Sequence, residues 1–244
     1  MKSSSRKARS GAQQELRLPS GHGGARKGAG RKPAKGRRRV AHVPRPVVKP
    51  SWPVHVTVRM RRDVPRLRNF ELAKVLRQAF VKGCRRDGFR ICQFSIQGNH
   101  IHTICEAGDR ERLARGIQGW CVRIARGVNG VVDREGSLFD DRYHVEVIKS
   151  PRQMRNTLCY VLQNARRHGE RLDGKYHGID PFSSAWWFDG WADDRWRHGI
   201  EPPDPEPPVA RAQSWLLNTA WRRHRDIEIT EVPSAGRAAS FRRS

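Results

Sequence analysis

The feature that most constrains the fold of this chain is a hairpin signature near its middle. Residues 89–97 and residues 100–106 are apolar, β-branched runs joined by the turn dipeptide Gly98-Asn99. This pattern predicts two antiparallel strands. Side chains alternate along a strand, so His100 and His102 point to the same face. Two imidazoles on one face can bind a single divalent metal ion, or they can be polar residues on a solvated face.

The periodicities around this hairpin predict an α+β fold. Residues 53–59 alternate apolar and polar and predict a first strand, with His55 on its outer face as a surface histidine without a catalytic role. Within residues 89–97, strict alternation places Ile91 and Phe94 on opposite faces. The other predicted elements are helices over residues 69–86, 109–127 and 151–168 and a strand over residues 143–148. Their order matches a ferredoxin-like (RRM-like) antiparallel sheet with helices on one face.

The last predicted helix carries a second pair of reactive side chains. Tyr160 and Asn164 are four residues apart, so they share one edge of the helix. A phenol and an amide oxygen beside a strand with two histidines would form a nuclease-like site. The alternative is an amphipathic helix whose tyrosine packs on the core with its hydroxyl in water, which is the commoner role of a helical tyrosine.

The charge of the chain predicts a polyanionic partner. It has 49 Lys and Arg against 24 Asp and Glu, which gives a formal net charge of +25. Nucleic acid is the first expectation for such a charge, and an acidic membrane surface is the second. The sequence has no apolar run near the length of a membrane span and no basic helix with a large apolar face. We therefore expect nucleic acid as partner, and no membrane.

Composition divides the chain into three parts. They are a basic, largely disordered tail over residues 1–50, a globular domain over residues 51–170, and a Trp- and Pro-rich extension over residues 171–244. In the tail, Arg31 and Lys32 lie in a segment similar to the short basic hooks that enter a DNA minor groove. Alternatively, the tail binds any phosphate backbone without sequence preference. The tryptophans of the extension either stack on bases or pack against the domain.

Cysteine usage indicates the compartment. The chain has five cysteines, an odd number, and no pair with C-x-x-C spacing. This argues against a disulfide framework or a zinc knuckle and favours a reducing environment. With the expected nucleic-acid partner, it predicts a cytoplasmic, nucleoid-associated protein.

Four segments occur in a characteristic order between residues 50 and 170. They are Pro53–Arg59, the triplet His100-Ile101-His102, Leu138–His144 and Tyr160–Asn164. Together they resemble the HUH superfamily of single-tyrosine transposases, in particular the REP-associated tyrosine transposases and the wider IS200-like family. The resemblance implies a ferredoxin-like catalytic domain over residues 51–170 with an extra helix that carries the catalytic tyrosine. It also implies a single-stranded DNA substrate that bears a hairpin.

The same resemblance implies a role for each motif residue. Tyr160 would attack the DNA and form a 5′-phosphotyrosine, as in a metal-dependent endonuclease and strand transferase. His100, His102 and Asn164 would bind one divalent metal ion, and Mg²⁺ or Mn²⁺ is expected rather than Zn²⁺ because no thiolate or carboxylate joins the set. Arg142, with Arg31 and Lys32 of the tail, is expected to bind DNA. A homodimer that shares the tyrosine helix is compatible with the sequence.

Alternatives remain for the third metal ligand and for the function. Many relatives have proline after the metal-binding asparagine, whereas Ala165 follows here, and Gln163 is a second candidate for the third metal ligand. The chain could also be a non-catalytic nucleic-acid-binding regulator on the same fold, which would bind hairpin DNA without a covalent adduct. A third alternative is a metal-dependent phosphodiesterase that uses water and would cleave DNA normally after Tyr160→Phe.

Overall fold

The structure is a computed structural model that describes residues 45–170, 172, 177–202, 204 and 206–233. Arg31, Lys32 and nearly all of the predicted tail therefore lie outside the described residues. The described elements in chain order are β1 (Val54–Arg59), α1 (Phe70–Gly83), β2 (Arg85–Arg86), β3 (Phe89–Ile96), β4 (His100–Ala107), α2 (Arg110–Val131), β5 (His144–Val147), α3 (Pro151–Leu162), α4 (Asn164–Arg167) and α5 (Trp215–Asn218).

The strands form one antiparallel sheet in the order β2-β3-β4-β1-β5. Without the two-residue strand β2, this is the strand order of a ferredoxin-like sheet, and the predicted α+β fold class is confirmed. β4 is central and pairs with β1, with Thr57 opposite His102. The strand that carries the histidines is thus held on both sides, so the histidines have a rigid support.

Helices α1 and α2 pack on one face of the sheet. The ring of Phe80 stacks on Phe94 with 3.9 Å between centroids and lies 5.0 Å from the ring of Trp120. Gly116 allows α2 to approach the sheet closely, because a Cβ at this position would overlap the ring of Phe89. Burying each of these large side chains contributes about 1.5–3 kcal/mol, so this face is the main core of the domain.

A β-bulge in β3 changes which of its side chains face that core. Ile91 and Gln93 pair with adjacent residues of β4, so Cys92 is an extra residue. The extra residue reverses the alternation, and Ile91 and Phe94 both join the core under α1 and α2. The predicted placement of Ile91 and Phe94 on opposite faces is therefore wrong. Cys92 belongs to the cluster on the opposite face.

Helix α3 packs on the opposite face, the face of the histidines. It begins with Ser150 as its cap, whose hydroxyl accepts a hydrogen bond from the Gln153 N–H, and Pro151 occupies the first turn. The sequence predicts one helix to residue 168, but α3 ends at Leu162 and the short α4 follows after Gln163. Helix α2, in turn, extends to Val131 rather than 127.

Residues from the C-terminal extension complete the second face. Trp191 and Trp221 are buried in the same cluster as Leu158 of α3, which favours packing over base stacking for these two tryptophans. The buried carboxylate of Glu106 accepts hydrogen bonds from the backbone N–H groups of Gln213 and Ser214 and so holds the chain that leads into α5. None of the described helices has both the length and the apolar character required to cross a bilayer.

Candidate active site

The histidines of β4 and the tyrosine of α3 meet between the sheet and the helix. The Nε2 atoms of His100 and His102 lie 3.0 Å apart, and the hydroxyl of Tyr160 lies 3.5 Å from Nε2 of His102. His102 is 4% exposed, whereas Tyr160 is only partly buried and remains accessible. The structure thus brings Tyr160 beside His102, which lies 58 positions earlier in the sequence, and close to its neighbour His100.

His55 is a further member of this cluster. Its Nε2 lies 3.1 Å from Nδ1 of His102, and its ring centroid lies 5.9 Å from that of Tyr160. The prediction of a surface histidine is wrong, because the rings of His102 and Tyr160 pack against His55, which is only 8% exposed. Alternation put His55 on the correct face, and the ferredoxin-like order puts β1 beside β4. The sequence did not predict the register between β1 and β4, which places His55 beside His102.

Hydrogen bonds set the tautomer of His100 and allow two tautomers for His102. Nδ1 of His100 lies 2.9 Å from Oδ1 of Asn99, and since a carbonyl oxygen only accepts, that nitrogen carries the proton and Nε2 keeps a lone pair. For His102, Nδ1 lies 3.1 Å from both Thr57 Oγ1 and His55 Nε2. When Nδ1–H of His102 donates to either of these acceptors, two Nε2 lone pairs face one another and can bind one cation. In the other tautomer, Nε2–H of His102 donates to His100.

The three imidazoles are neutral at pH 7. Burial, followed by the charge of neighbouring histidines, lowers the pKa of His55 to about 4. Burial, followed by the positive charge of Arg59, lowers the pKa of His100 to about 4. Burial also holds the pKa of His102 well below its ordinary value. Neutral imidazole is the form that binds metal, so the protonation state of the cluster suits a metal ion.

The spacing of the histidines fits an octahedral metal ion. Two ligands in adjacent octahedral positions at about 2.1 Å from the ion are about 3.0 Å apart, which is the measured distance between the Nε2 atoms of His100 and His102. Asn164 is fully buried, and neither its amide oxygen nor its amide nitrogen has a hydrogen-bond partner. A buried amide left without a partner costs about 1–3 kcal/mol. An ion that takes up the amide oxygen would remove part of that cost.

The histidine pair supplies two nitrogen donors. Over the described part of the chain, no three His, Cys, Asp or Glu side chains form a metal-binding group. A third protein ligand could be an amide oxygen such as that of Asn164, and oxygen donors suit Mg²⁺ and Mn²⁺, whereas imidazole nitrogens also suit Zn²⁺. Gln163 is a poorer candidate, because its amide nitrogen donates to the carbonyl oxygens of Glu228 and Ile229, at 3.1 and 2.7 Å. Those bonds orient its side chain toward the C-terminal residues.

Two arginines near the site carry positive charge, one beside Tyr160 and one in the loop before β5. The guanidinium of Arg167 lies over the ring of Tyr160, 5.4 Å from its centroid, and supplies positive charge beside the phenol. Arg142 lies exposed in the loop before β5, and its role in DNA binding stays a prediction, as do those of Arg31 and Lys32.

Helix α3 is held against the domain by the C-terminal segment, residues 225–233. The guanidinium of Arg155 forms two hydrogen bonds of 2.6 Å to the carboxylate of Glu231 and contacts the carbonyl oxygens of Arg225 and Asp226 at 3.3 Å. Sequence reasoning missed this contact. It fixes the helix that carries Tyr160, and therefore the position of the phenol relative to the histidines.

A cavity of about 370 Å³ opens beside the tyrosine. Its walls come from the edge of the sheet, from the exposed side of α3 and from the C-terminal segment. They include His55, Glu146, Asn156, Tyr160 and Arg167. The volume is within the range of small-molecule sites. The candidate active site thus combines a histidine cluster that could hold a metal ion with an adjoining space large enough for part of a substrate.

Comparisons with known proteins find likeness at the level of solved structures. No family profile matches the chain, and no curated protein sequence matches it. It is similar to a REP-associated tyrosine transposase bound to a REP hairpin, with 17% identity over 72% of this chain and 100% of that chain and a TM-score of 0.49. It is also similar to a candidate transposase from Deinococcus radiodurans R1, with 13% identity over 46% of this chain and 86% of that chain and a TM-score of 0.34. Likeness at this level assigns no activity to this chain.

Proposed function

We propose that this protein cleaves and rejoins single-stranded DNA as a tyrosine transposase, through a 5′-phosphotyrosine at Tyr160. The observation that carries the proposal is the approach of the phenol to the histidine pair. The hydroxyl of Tyr160 lies 3.5 Å from Nε2 of His102, the same atom that faces His100. In this proposal the nucleophile lies beside the metal-binding pair, and Tyr160 and His100 are only partly buried.

His100, His102 and Asn164 would hold one Mg²⁺ or Mn²⁺ ion. When bound, such an ion polarises a scissile phosphate and offsets the negative charge that develops on it. His100 and His102 can present neutral nitrogen lone pairs, and Asn164 contributes a buried amide without another partner. Asn99 and Thr57 orient the imidazoles of His100 and His102, and the backbone of β4 holds both histidines on one paired strand.

Tyr160 would perform the covalent step. Its oxygen attacks phosphorus and loses its proton, the bond between phosphorus and the 3′-oxygen breaks, and that oxygen gains a proton. One phosphodiester is exchanged for another, so the reverse reaction rejoins DNA without a nucleotide cofactor. Arg167 places positive charge against the tyrosine ring, where it favours the anionic phosphate of the adduct.

The overall charge supports a DNA substrate. A net charge of +25 attracts the phosphate backbone without sequence preference. In this proposal the substrate is a single strand that bears a hairpin, Arg142, Arg31 and Lys32 contribute to its binding, and the protein works in the cytoplasm at the nucleoid.

Formation of a covalent adduct is the test. Wild-type protein is incubated with single-stranded hairpin DNA and Mg²⁺ or Mn²⁺, and an SDS-resistant protein–DNA adduct is expected. The adduct should be absent with Tyr160→Phe, which keeps the ring but removes the nucleophile. Binding without any adduct would instead indicate a non-catalytic regulator. DNA cleavage that persists in Tyr160→Phe would indicate a phosphodiesterase that uses water.

Metal dependence is tested separately. Asn164→Ala and His100→Ala should bind Mn²⁺ more weakly than wild type in equilibrium dialysis. Loss of a group that hydrogen-bonds to a metal ligand lowers metal affinity about 10- to 100-fold, and this sets a lower bound for the loss of a ligand itself. Gln163→Ala is the matched control on the neighbouring position. If Gln163→Ala weakened Mn²⁺ binding and Asn164→Ala did not, the third ligand would be Gln163.

A further inference from the structure

We infer that the cavity beside Tyr160 is a base-reading subsite for the nucleotide that stays attached to the tyrosine. This nucleotide, which carries the scissile phosphate on its 5′-oxygen, is called the retained nucleotide below. The inference rests on the proposed function, and it names the part of the substrate that this cavity holds and the bases that it favours.

Reaction geometry indicates which nucleotide occupies the cavity. In phosphoryl transfer, the attacking and leaving oxygens lie roughly in line on opposite sides of phosphorus. The nucleotide that leaves with the 3′-oxygen therefore points away from Tyr160. The retained nucleotide is bonded to an equatorial oxygen and extends sideways from the line of attack. Because Tyr160 itself forms part of the cavity wall, the cavity is on the side of the retained nucleotide.

Pairing between β1 and β5 places the cavity next to the histidine cluster. Glu146 of β5 is the cross-strand partner of His55 in β1. Directly opposed residues of an antiparallel pair have side chains on the same face, with Cβ atoms about 4.5–5.5 Å apart. The carboxylate of Glu146 is therefore one strand away from His55 and two strand spacings, about 9–10 Å, away from His100 and His102, which would hold the metal. A nucleotide whose phosphate contacts the metal reaches this carboxylate with its base.

The polar groups of the cavity define its chemistry. Gln153 donates to Oε1 of Glu146 at 3.1 Å and accepts from the Lys149 N–H at 2.9 Å, so the position of the carboxylate is fixed. Asn156 lies one helical turn before Tyr160 on α3, on the cavity wall, and is exposed. A carboxylate only accepts hydrogen bonds, whereas a carboxamide both donates and accepts.

This donor and acceptor pattern favours adenine and cytosine, whose amine stands at the position of the base edge where guanine and thymine carry a carbonyl oxygen. In DNA recognition, glutamate accepts from the cytosine amine and asparagine pairs with adenine. At that position thymine presents a carbonyl oxygen to Glu146, which the carboxylate repels. The cavity should therefore accept adenine or cytosine and disfavour thymine. Arg152 and Arg167 at its rim supply positive charge for the backbone.

Sequencing of captured DNA tests the inference directly. Wild-type protein is incubated with Mn²⁺ and hairpin DNA flanked by randomised single strands, the adducts are isolated in SDS, and the strands are released by protease and sequenced. The 5′-terminal base of each captured strand is the retained nucleotide. Adenine and cytosine should exceed thymine about 5- to 150-fold, as expected for one base-edge contact worth about 1–3 kcal/mol.

Two glutamate variants separate base reading from a general effect of removing a negative charge. Glu146→Gln keeps the shape and the contact with Gln153 but adds a donor, so it should remove the bias against thymine while adducts still form. Glu111→Gln makes the same change on α2, on the other face of the sheet, and should leave the bias unchanged. Equal use of the four bases by wild type, or a bias that survives Glu146→Gln, would overturn the inference.

Nucleotide binding separates this inference from the proposed function. If no adduct forms at all, the proposed transposase activity fails, and the binding of deoxynucleoside 5′-monophosphates then decides the subsite. Deoxyadenosine and deoxycytidine 5′-monophosphates should shift the NMR signals of Asn156 and bind more tightly than thymidine 5′-monophosphate, with the difference lost in Glu146→Gln. Equal binding of the three nucleotides, or no binding near Asn156, would overturn the subsite as well.

Discussion

The contact between Arg155 and Glu231 should be a large single contribution to the stability of the tyrosine helix. The side chain of Arg155 is 8% exposed and that of Glu231 is 19% exposed, and two hydrogen bonds of 2.6 Å join them. Glu231→Gln replaces the carboxylate with a neutral amide that offers one acceptor oxygen. The guanidinium then stays buried with one weaker partner and two backbone carbonyl contacts.

The expected cost follows from this geometry. Breaking a buried ion pair by changing one partner costs about 3–5 kcal/mol, and a hydrogen bond to a charged group contributes about 1.5–3 kcal/mol. Because Glu231 retains some solvent contact and Gln keeps one acceptor, we expect Glu231→Gln to lower the free energy of unfolding by about 2–3 kcal/mol. Urea unfolding at pH 7, followed by tryptophan fluorescence, measures this difference.

An exposed ion pair with the same shortest distance provides a control. Arg195 and Asp193 also form a 2.6 Å contact, but their side chains are 81% and 48% exposed. Exposed pairs contribute about 0–1 kcal/mol, so Asp193→Asn should have little effect. If Glu231→Gln changed the free energy of unfolding by no more than Asp193→Asn does, burial would not be what makes the Arg155 contact strong, and the reasoning would be refuted.

The pH dependence provides an independent check. Hydrogen bonds from Arg155 lower the pKa of the Glu231 carboxyl below its ordinary value. The carboxyl therefore binds protons less readily in the folded state than in the unfolded state. Its contribution is complete above the ordinary glutamate pKa of about 4.3 and is lost as pH falls through the folded value. The stability difference between wild type and Glu231→Gln should shrink below about pH 4.

Three further outcomes are expected. Asn164→Leu should raise the free energy of unfolding by about 1–2 kcal/mol, because it removes a buried amide without a partner, and it should abolish Mn²⁺ binding; unchanged Mn²⁺ affinity would contradict the ligand role. Gly116→Ala should lower stability in urea by about 1–2 kcal/mol despite the better helix propensity of alanine, since its methyl group overlaps the Phe89 ring. Thr57→Val should weaken Mn²⁺ binding about 10-fold, because His102 loses a hydroxyl acceptor for Nδ1–H, whereas equal affinity would assign that role to other groups.

The elements of the fold could be predicted because their signals are local. Alternation marks β1 and β4, a turn dipeptide marks the hairpin at residue 98, and helical spacing marks α3. The same local rules place His100 and His102 on one face. The prediction that Tyr160 and Asn164 share one helix edge is wrong, because Tyr160 is in α3 and Asn164 is in α4. The ferredoxin-like order then required only that these elements follow one another as in known α+β sheets.

The wrong predictions concern features that depend on contacts with residues distant in sequence. Strict alternation in β3 fails at Cys92, because the bulge is set by pairing with β4. Helix periodicity continues past Leu162, but the backbone breaks at Gln163, whose side chain bonds to residues 228 and 229. His55 has the pattern of a surface residue, but the rings of His102 and Tyr160 pack against it. In each case the deciding contact joins residues that no local pattern connects.

The amino-acid sequence by itself determined which strands and helices form, which side chains share a face, and the strong positive charge. These properties depend on periods of two and 3.6 residues and on composition, which act over a few positions. Only the tertiary structure decided that His55 joins the imidazole pair, that Arg155 meets Glu231, and that a cavity opens beside Tyr160. Those outcomes depend on strand register and on which surfaces are buried together, and burial is a property of the whole packed chain.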